Sequence, residues 1–259
     1  MLTKERHDTI LRFAKKQRYV STKQVVSILN ASEATVRRDF QDLETRGLIR
    51  RMHGGIEYAG AEPETPASER IDEEPLDVRK NIFAEQKRLI AKKAASLVAP
   101  GETIIIDGGS TTYYMAEFLA DTELTVITNS FAIANALRMS GSVTVILLGG
   151  MVYRDSQMMI NPFGDTLLAN YSASKLFMSP QGIDESGITN TDTRLIATER
   201  LMIARSREVI VLADASKFGE RGNLAVCGYD VARTVITDSG VPEETKTMLT
   251  SKGVNLLLA

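Results

Sequence analysis

The chain has 259 residues, 43% of them hydrophobic and 25% charged, which is ordinary globular composition with ample material for a core and excludes disorder as the general state. No run of about 18 apolar residues occurs, and the opening MLTKERHDTI lacks the apolar centre of a signal peptide, so a cytoplasmic protein with no membrane partner is expected. Cys227 is the single cysteine, which excludes an intrachain disulfide and a cysteine-rich zinc site; no metal and no cofactor are expected.

The formal net charge of −2 hides an asymmetry. Residues 1–60 hold 12 Lys+Arg against 7 Asp+Glu, and the remainder holds 19 against 26. A basic head on an acidic body fits binding of double-stranded DNA by the head alone.

In chain order, Thr3 to Lys16 reads as a helix with Ile10, Leu11 and Phe13 available to a core and Thr3 as its cap. Ser21 caps a second short helix, TKQVVSILN, which buries Val25, Ile28 and Leu29. A third helix follows from Ser32, its N-cap, to a stop at Gly47. Val36, Phe40 and Leu43 share its buried face, while Ala34, Arg38, Gln41 and Thr45 lie opposite, flanked by Thr35 and Arg37. That outer face is short, basic and rich in donors. It suits a DNA major groove, where Arg and Gln read base edges; taken alone it also suits a solvated helix.

Three short helices with the third one basic form a helix-turn-helix. The next segment, GLIRRMHGGIEY, alternates apolar and basic residues up to Gly54-Gly55 and predicts a two-stranded wing. Thr35, Arg37, Arg38 and Gln41 are the candidate DNA contacts, with Arg51 on the phosphate backbone. Asp39 points nearer the core and is expected to pair with an arginine inside the protein, and His53 is read as packing the wing turn rather than contacting a base.

The head resembles the DeoR family of bacterial repressors. The marks are Arg6-His7; Ser32 through Thr35-Val36-Arg37-Arg38-Asp39; and Leu43 through Gly47, Arg51 and His53-Gly54-Gly55. Ala31, Val36 and Phe40 depart from the usual Val, Ile and Leu as volume changes on the buried face. The resemblance implies that the Ser32 helix is the recognition helix.

Residues 59–79 carry three of the seven prolines and a cluster of acids with no hydrophobic period, so a semi-extended linker is expected between a head of residues 1–58 and a body of residues 80–259. The body alternates helical patterns (AEQKRLIAKKAASLV, TTYYMAEFLA, FAIANALRM, RLIATERLMIARS, PEETKTMLTSKG) with continuous apolar runs (ETIIID, LTVITN, VTVILLGG, KLFMS, REVIVLAD, TVITD, VNLLL). That pattern predicts an α/β domain whose mainly parallel sheet is covered on both faces.

Ligands of such sheets sit beyond the carboxyl ends of the strands, where the polar and glycine clusters fall. These are Asp107-Gly108-Gly109-Ser110-Thr111-Thr112, Thr128-Asn129-Ser130, Gly149-Gly150 and Asp214 to Gly219 with Lys217. Glycines admit an anion to backbone N–H groups, hydroxyls add donors, and a helix start adds a positive dipole end. The first cluster is neither a G-x-G-x-x-G fingerprint nor a P-loop, so a small phosphate ester fits it better than a dinucleotide or ATP. Taken alone, the same turn suits a purely structural role, and Lys217 a surface lysine.

The body resembles the DeoR-family sensor domain across nearly its whole length. The marks are Lys87 to Ala91, Asp107-x-Gly-Ser-Thr-Thr, Thr125 to Ser130, Gly149-Gly150, Gly164, Gly182-Ile183-Asp184, and Asp214-x-Ser-Lys217-Phe-Gly. The resemblance implies a fold related to ribose-5-phosphate isomerase and glucosamine-6-phosphate deaminase, and a phosphorylated sugar or sugar acid bound by these clusters, Asp184 included, that alters DNA affinity. Asn161-Pro162-Phe163 and Thr191-Asp192-Thr193 depart from the commonest forms, are expected to help set ligand specificity, and are similar to the branch that governs L-ascorbate and related sugar-acid use.

The expected function is a repressor of a sugar or sugar-acid operon, released from its operator by that effector. One winged head offers too few contacts for tight operator binding, so a homodimer or homotetramer is expected. The alternative is a sugar-phosphate isomerase or deaminase with an accessory DNA-binding head, in which Asp107, Asp184 and Asp214 would move protons. The body contains no histidine, since both lie at His7 and His53, so no catalytic residue and no enzyme activity are assigned. A DNA-binding scaffold with a vestigial pocket is a third possibility.

Overall fold

The computed structural model describes residues 3–17, 19–29, 31–52, 54–59, 75–161 and 167–259. Contacts divide the chain into two units, Met1–Arg70 with Asp77–Ala84, and Ile71–Leu76 with Glu85–Ala259.

The first unit runs α1 (Thr3–Gln17), β1 (Tyr19–Ser21), α2 (Thr22–Leu29), α3 (Glu33–Thr45), β2 (Ile49–Met52) and β3 (Gly55–Tyr58). Each boundary has a local cause. Ser21 and Gln24 form a reciprocal cap at the start of α2, with Gln24 N–H donating to Ser21 Oγ and Ser21 N–H donating to Gln24 Oε1. Ser32 Oγ accepts the Thr35 N–H at the start of α3. Gly47, at φ +68°, ends α3 while Gly47 and Leu48 N–H bond back to Glu44 and Leu43 carbonyls.

The core of this unit joins Ile10, Phe13, Val25, Leu29, Val36, Phe40, Leu43, Ile49 and Ile56. The expected two-stranded wing has a third strand: β1 pairs with β3, Val20 opposite Ile56, giving the order β1-β3-β2. Three residues are too few to carry a period of two, so β1 left no signal.

Most of the expected linker, and His53, lie outside the described residues. Its end does not: Leu76–Arg79 form a helical turn, α4, and Val78 and Ile82 pack against the core of the first unit. Phe83 N–H also donates to Ser27 Oγ at 3.3 Å. The expected boundary at residue 80 thus falls inside a segment that packs with the head, because two apolar side chains four positions apart supply it with a buried face.

The second unit continues with α5 (Ala84–Ala95), β4 (Thr103–Ile106), α6 (Ala116–Leu119), β5 (Leu124–Thr128), α7 (Phe131–Leu137) and β6 (Val143–Leu147). A hairpin of β7 (Met151–Tyr153) and β8 (Met158–Ile160) follows, then β9 (Ala173–Met178), β10 (Gly182–Asp184), β11 (Gly187–Asn190) and α8 (Thr193–Ala204). The chain ends with β12 (Ser206–Leu212), β13 (Leu224–Cys227), β14 (Thr234–Thr237), α9 (Glu243–Ser251) and β15 (Asn255–Leu258).

Seven strands form one parallel sheet in the order β15-β14-β12-β9-β4-β5-β6. From β4 the chain moves outward through β5 to β6, then returns to the other side of β4 as β9 and moves away through β12. The direction therefore reverses between β4 and β9. Such a reversal leaves a crevice at the carboxyl ends of the two strands, because their crossovers depart to opposite sides.

The buried β9 residues Leu176 and Met178 join β12 and β14 side chains in the main core. Two smaller assemblies, the β7–β8 hairpin and the β10–β11–β13 sheet, were not expected from sequence. No helix among the described residues is long and apolar enough to cross a membrane.

Candidate functional site

In the first unit, Ala34, Arg37, Arg38, Gln41 and Thr45 of α3 are all exposed, and Thr35 is half-buried beside the Ser32 cap, to which its hydroxyl is bonded at 2.9 Å. Arg37 is held by Glu33 one turn earlier, both side chains being well exposed. Arg51 on β2 donates to Gln41 Oε1 at 3.1 Å, and its N–H donates to Glu44 Oε1. The wing arginine and the helix glutamine therefore form one surface.

Behind that surface sits Asp39, buried. Arg6 on α1 donates to both of its oxygens at 2.8 Å, and His7 Nε2 lies 3.1 Å from Oδ1. The internal arginine expected for Asp39 is Arg6. Burial alone would raise the Asp39 carboxyl, but the hydrogen bond and charge of Arg6, then those of His7, outweigh it and hold the group below the usual carboxylate range. The Arg6-His7 pair thus fixes the pose of α3 from behind.

In the second unit, the Asp107–Thr112 turn leaves β4 at the point where strand direction reverses. Asp107, Ser110, Thr111 and Thr112 are all buried. Thr112 Oγ1 accepts the Gly109 N–H at 2.9 Å and lies 2.7 Å from the Asp107 carbonyl, closing the turn on itself. The expected helix opens as a 3-10 turn, Thr112–Met115, before α6, so the dipole presented here is that of a short, tight element.

Asn129 links the neighbouring strand: its Oδ1 accepts the Gly108 N–H at 3.1 Å. Ser130 caps α7 and Thr128 Oγ1 accepts the Ser130 N–H, so these two residues shape the loop beside the turn. Gly109 faces β9 closely enough that a Cβ would collide with Ser179, and a Cβ on Gly108 would lie 2.7 Å from Met158. Gly109 is required by close approach, whereas at Gly108 the neighbour is a flexible methionine side chain that can give way.

Asp214 follows β12 and accepts from Ser216 N–H and Oγ, turning the chain toward a half-buried Lys217. Asp184 is similarly occupied, accepting from Ser186 and paired with Arg221 at 3.2 Å. The Ser186 hydrogen bond, against the opposing effect of burial, holds its carboxyl below the ordinary range. Gly149 and Gly150 are exposed at the end of β6, with β5 between them and β4. Gly150, at φ +154°, gives close backbone approach to Ile160 in the hairpin, a shaping role rather than a contact with the turn.

Residues 6–61 match the DeoR-like helix-turn-helix domain and residues 82–239 the DeoR C-terminal sensor domain. The chain belongs to the DeoR family. A curated relative in Haemophilus influenzae, described as an uncharacterized HTH-type transcriptional regulator, is 30% identical over 260 residues, covering 100% of this chain and 98% of the relative. The HTH-type transcriptional regulator UlaR of Shigella dysenteriae serotype 1 is 28% identical, covering 99% of both chains. Ribose 5-phosphate isomerase A from Methanocaldococcus jannaschii aligns at TM-score 0.39 and 18% identity over 52% of this chain and 54% of its own.

This DeoR-family chain holds two further buried residues to which no site role was assigned from sequence: Lys87, named there only as a mark of the resemblance, and Met158. Lys87, on α5, is buried, with Nζ 3.9 Å from the buried Asp214 Oδ2. It lies on one helical face with Ile90, Ala91 and Ala94, and a lysine within an apolar stripe is a signal visible in sequence. Met158 covers Gly108, yet nothing local in MVYRDSQMMI foretells that placement.

Proposed function

We propose that the protein is a transcriptional repressor of a sugar or sugar-acid operon. Residues 1–58 act as its DNA-binding head, 59–79 as its joint and 80–259 as its effector sensor. Thr35, Arg37, Arg38 and Gln41 contact the major groove and Arg51 the phosphates. The effector is a phosphorylated sugar or sugar acid. Asp107 to Thr112 receive its phosphate, Thr128, Asn129 and Ser130 with Gly149 and Gly150 frame the site, and Asp184 and Lys217 complete it. The protein acts as a homodimer or homotetramer, so that several heads engage repeated half-sites.

One observation carries this reading: a buried Gly-Gly-Ser-Thr-Thr turn stands where the strand order reverses, in a family defined by a sensor domain. Its carboxylates support sensing over turnover, since Asp184 and Asp214 are each held by their own turns. The test is a thermal-shift panel of the full chain against sugar phosphates, sugar acid phosphates and their unphosphorylated counterparts, followed by operator binding with any stabilising compound. Stabilisation confined to phosphorylated compounds, with loss of operator binding and no product formed, is the expected outcome. Stabilisation by unphosphorylated sugars alone would refute the phosphate assignment.

A further inference from the structure

The β7–β8 hairpin touches three parts of the second unit at once. On one side it is bonded to the loop after β5: Met159 N–H donates to the Asn129 carbonyl at 2.7 Å, and Phe131 N–H donates to the Gln157 carbonyl at 2.8 Å. On another, Tyr153 stacks under Arg194, whose guanidinium lies 4.0 Å from the ring centroid and donates to the Tyr153 hydroxyl, while Asp192 holds Arg194 from behind. Met158, buried, packs with Leu195 and roofs Gly108. The hairpin is thus the cover of the Asp107–Thr112 turn.

Its own turn makes the third attachment. The Asp155 carbonyl accepts the N–H of Leu76 at 2.7 Å, and Leu76 is buried. From Leu76 the chain passes directly into Asp77–Ala84, which group with the DNA-binding unit. One ten-residue element therefore roofs the candidate phosphate turn and grips the chain that leads to the head.

We propose that this hairpin couples effector binding to the head. An anion on the Asp107–Thr112 turn lifts Met158 from Gly108, the hairpin shifts, and the Leu76–Asp155 hydrogen bond breaks. The inference rests on the phosphate reading above for the identity of the trigger, though not for the linkage. Methionine suits a roof that must be displaced, being unbranched and flexible. Coupling requires an element that can switch between two arrangements, and a ten-residue hairpin held by a few hydrogen bonds can shift as a unit.

Hydrogen exchange on the full chain tests this. Gly108→Ala places a Cβ against Met158 without any ligand, and should speed exchange of the Leu76 and Met159 amides by roughly tenfold while β12 amides keep their wild-type rates. Met159 loosening with Leu76 unchanged, or neither changing, overturns the proposal. Added to Met158→Ala, which removes the collision, Gly108→Ala should have no further effect; an equal effect in both backgrounds would mean that it distorts the turn itself and also overturns it.

Inorganic phosphate on the wild-type chain should slow exchange at Ser110 to Thr112 and speed it at Leu76. Protection of the turn with Leu76 unaffected counts against the coupling. If phosphate protects nothing while Gly108→Ala still frees Leu76, the phosphate reading falls and the linkage stands.

Discussion

Arg6 grips Asp39 through two 2.8 Å hydrogen bonds across 33 residues of sequence, joining α1 to the inner side of the basic helix α3. This is a positioning contact: the face of α3 that carries Arg38 and Gln41 points where it does because the opposite face is pinned. Loss of either partner should therefore weaken DNA binding through the fold of the head.

Asp39→Asn should destabilise the head by about 1–2 kcal/mol at neutral pH, since it removes the charge from a doubly hydrogen-bonded pair whose carboxylate is buried. The Asp39 carboxyl is held below its unfolded value of about 3.9, so the stability it contributes is fully present above that pH and is lost as pH falls through the folded value. The difference between wild type and variant in urea unfolding should accordingly shrink progressively as pH is lowered from about 5 to about 3. A difference that stays constant across that range would remove the ionised pair as the cause.

Arg38 is exposed, while Arg37 is already paired with Glu33. Arg38→Ala should weaken operator binding by about 1–3 kcal/mol and relax preference at one base position. Glu33→Gln should strengthen operator binding by up to about 1 kcal/mol, because it releases Arg37 for the major groove and removes a negative charge beside the DNA. Anisotropy titrations at several salt concentrations separate the two effects. Equal weakening on all DNA for Arg38→Ala would make it a phosphate contact.

At the turn, Gly109→Ala should destabilise the second unit by about 1–3 kcal/mol, because its Cβ meets the Cβ of Ser179, just past the end of β9. Ser179→Gly should restore most of that loss, whereas Ser179→Ala, which keeps the colliding atom, should not. Thermal midpoints of the three variants decide it; rescue by both would place the strain elsewhere.

Lys87→Met keeps an unbranched side chain, one atom shorter, but removes the cation facing the buried Asp214 carboxylate. A loss of about 3 kcal/mol is expected, with partial recovery in Lys87→Met combined with Asp214→Asn. Denaturant midpoints measure both. Absence of coupling between the two changes would show that Lys87 serves another partner.

The helix-turn-helix and the parallel sheet were legible in the sequence because their signals are local and repeated. Val36, Phe40 and Leu43 declare a helix face, Ser32 and Gly47 mark its ends, and ETIIID or REVIVLAD announce strands buried on both faces. The polar turn at Asp107 could likewise be placed at a strand's carboxyl end. Tertiary structure alone decided the rest, since contacts across long separations leave no period to read. That Arg6 is the partner of Asp39, that β9 returns beside β4 to open the crevice there, that Met158 roofs Gly108 and that Asp155 holds Leu76 all depend on how distant segments pack. Lys87 lies between the two cases: its helical face was written in the sequence, but only the sheet beneath it supplied the carboxylate.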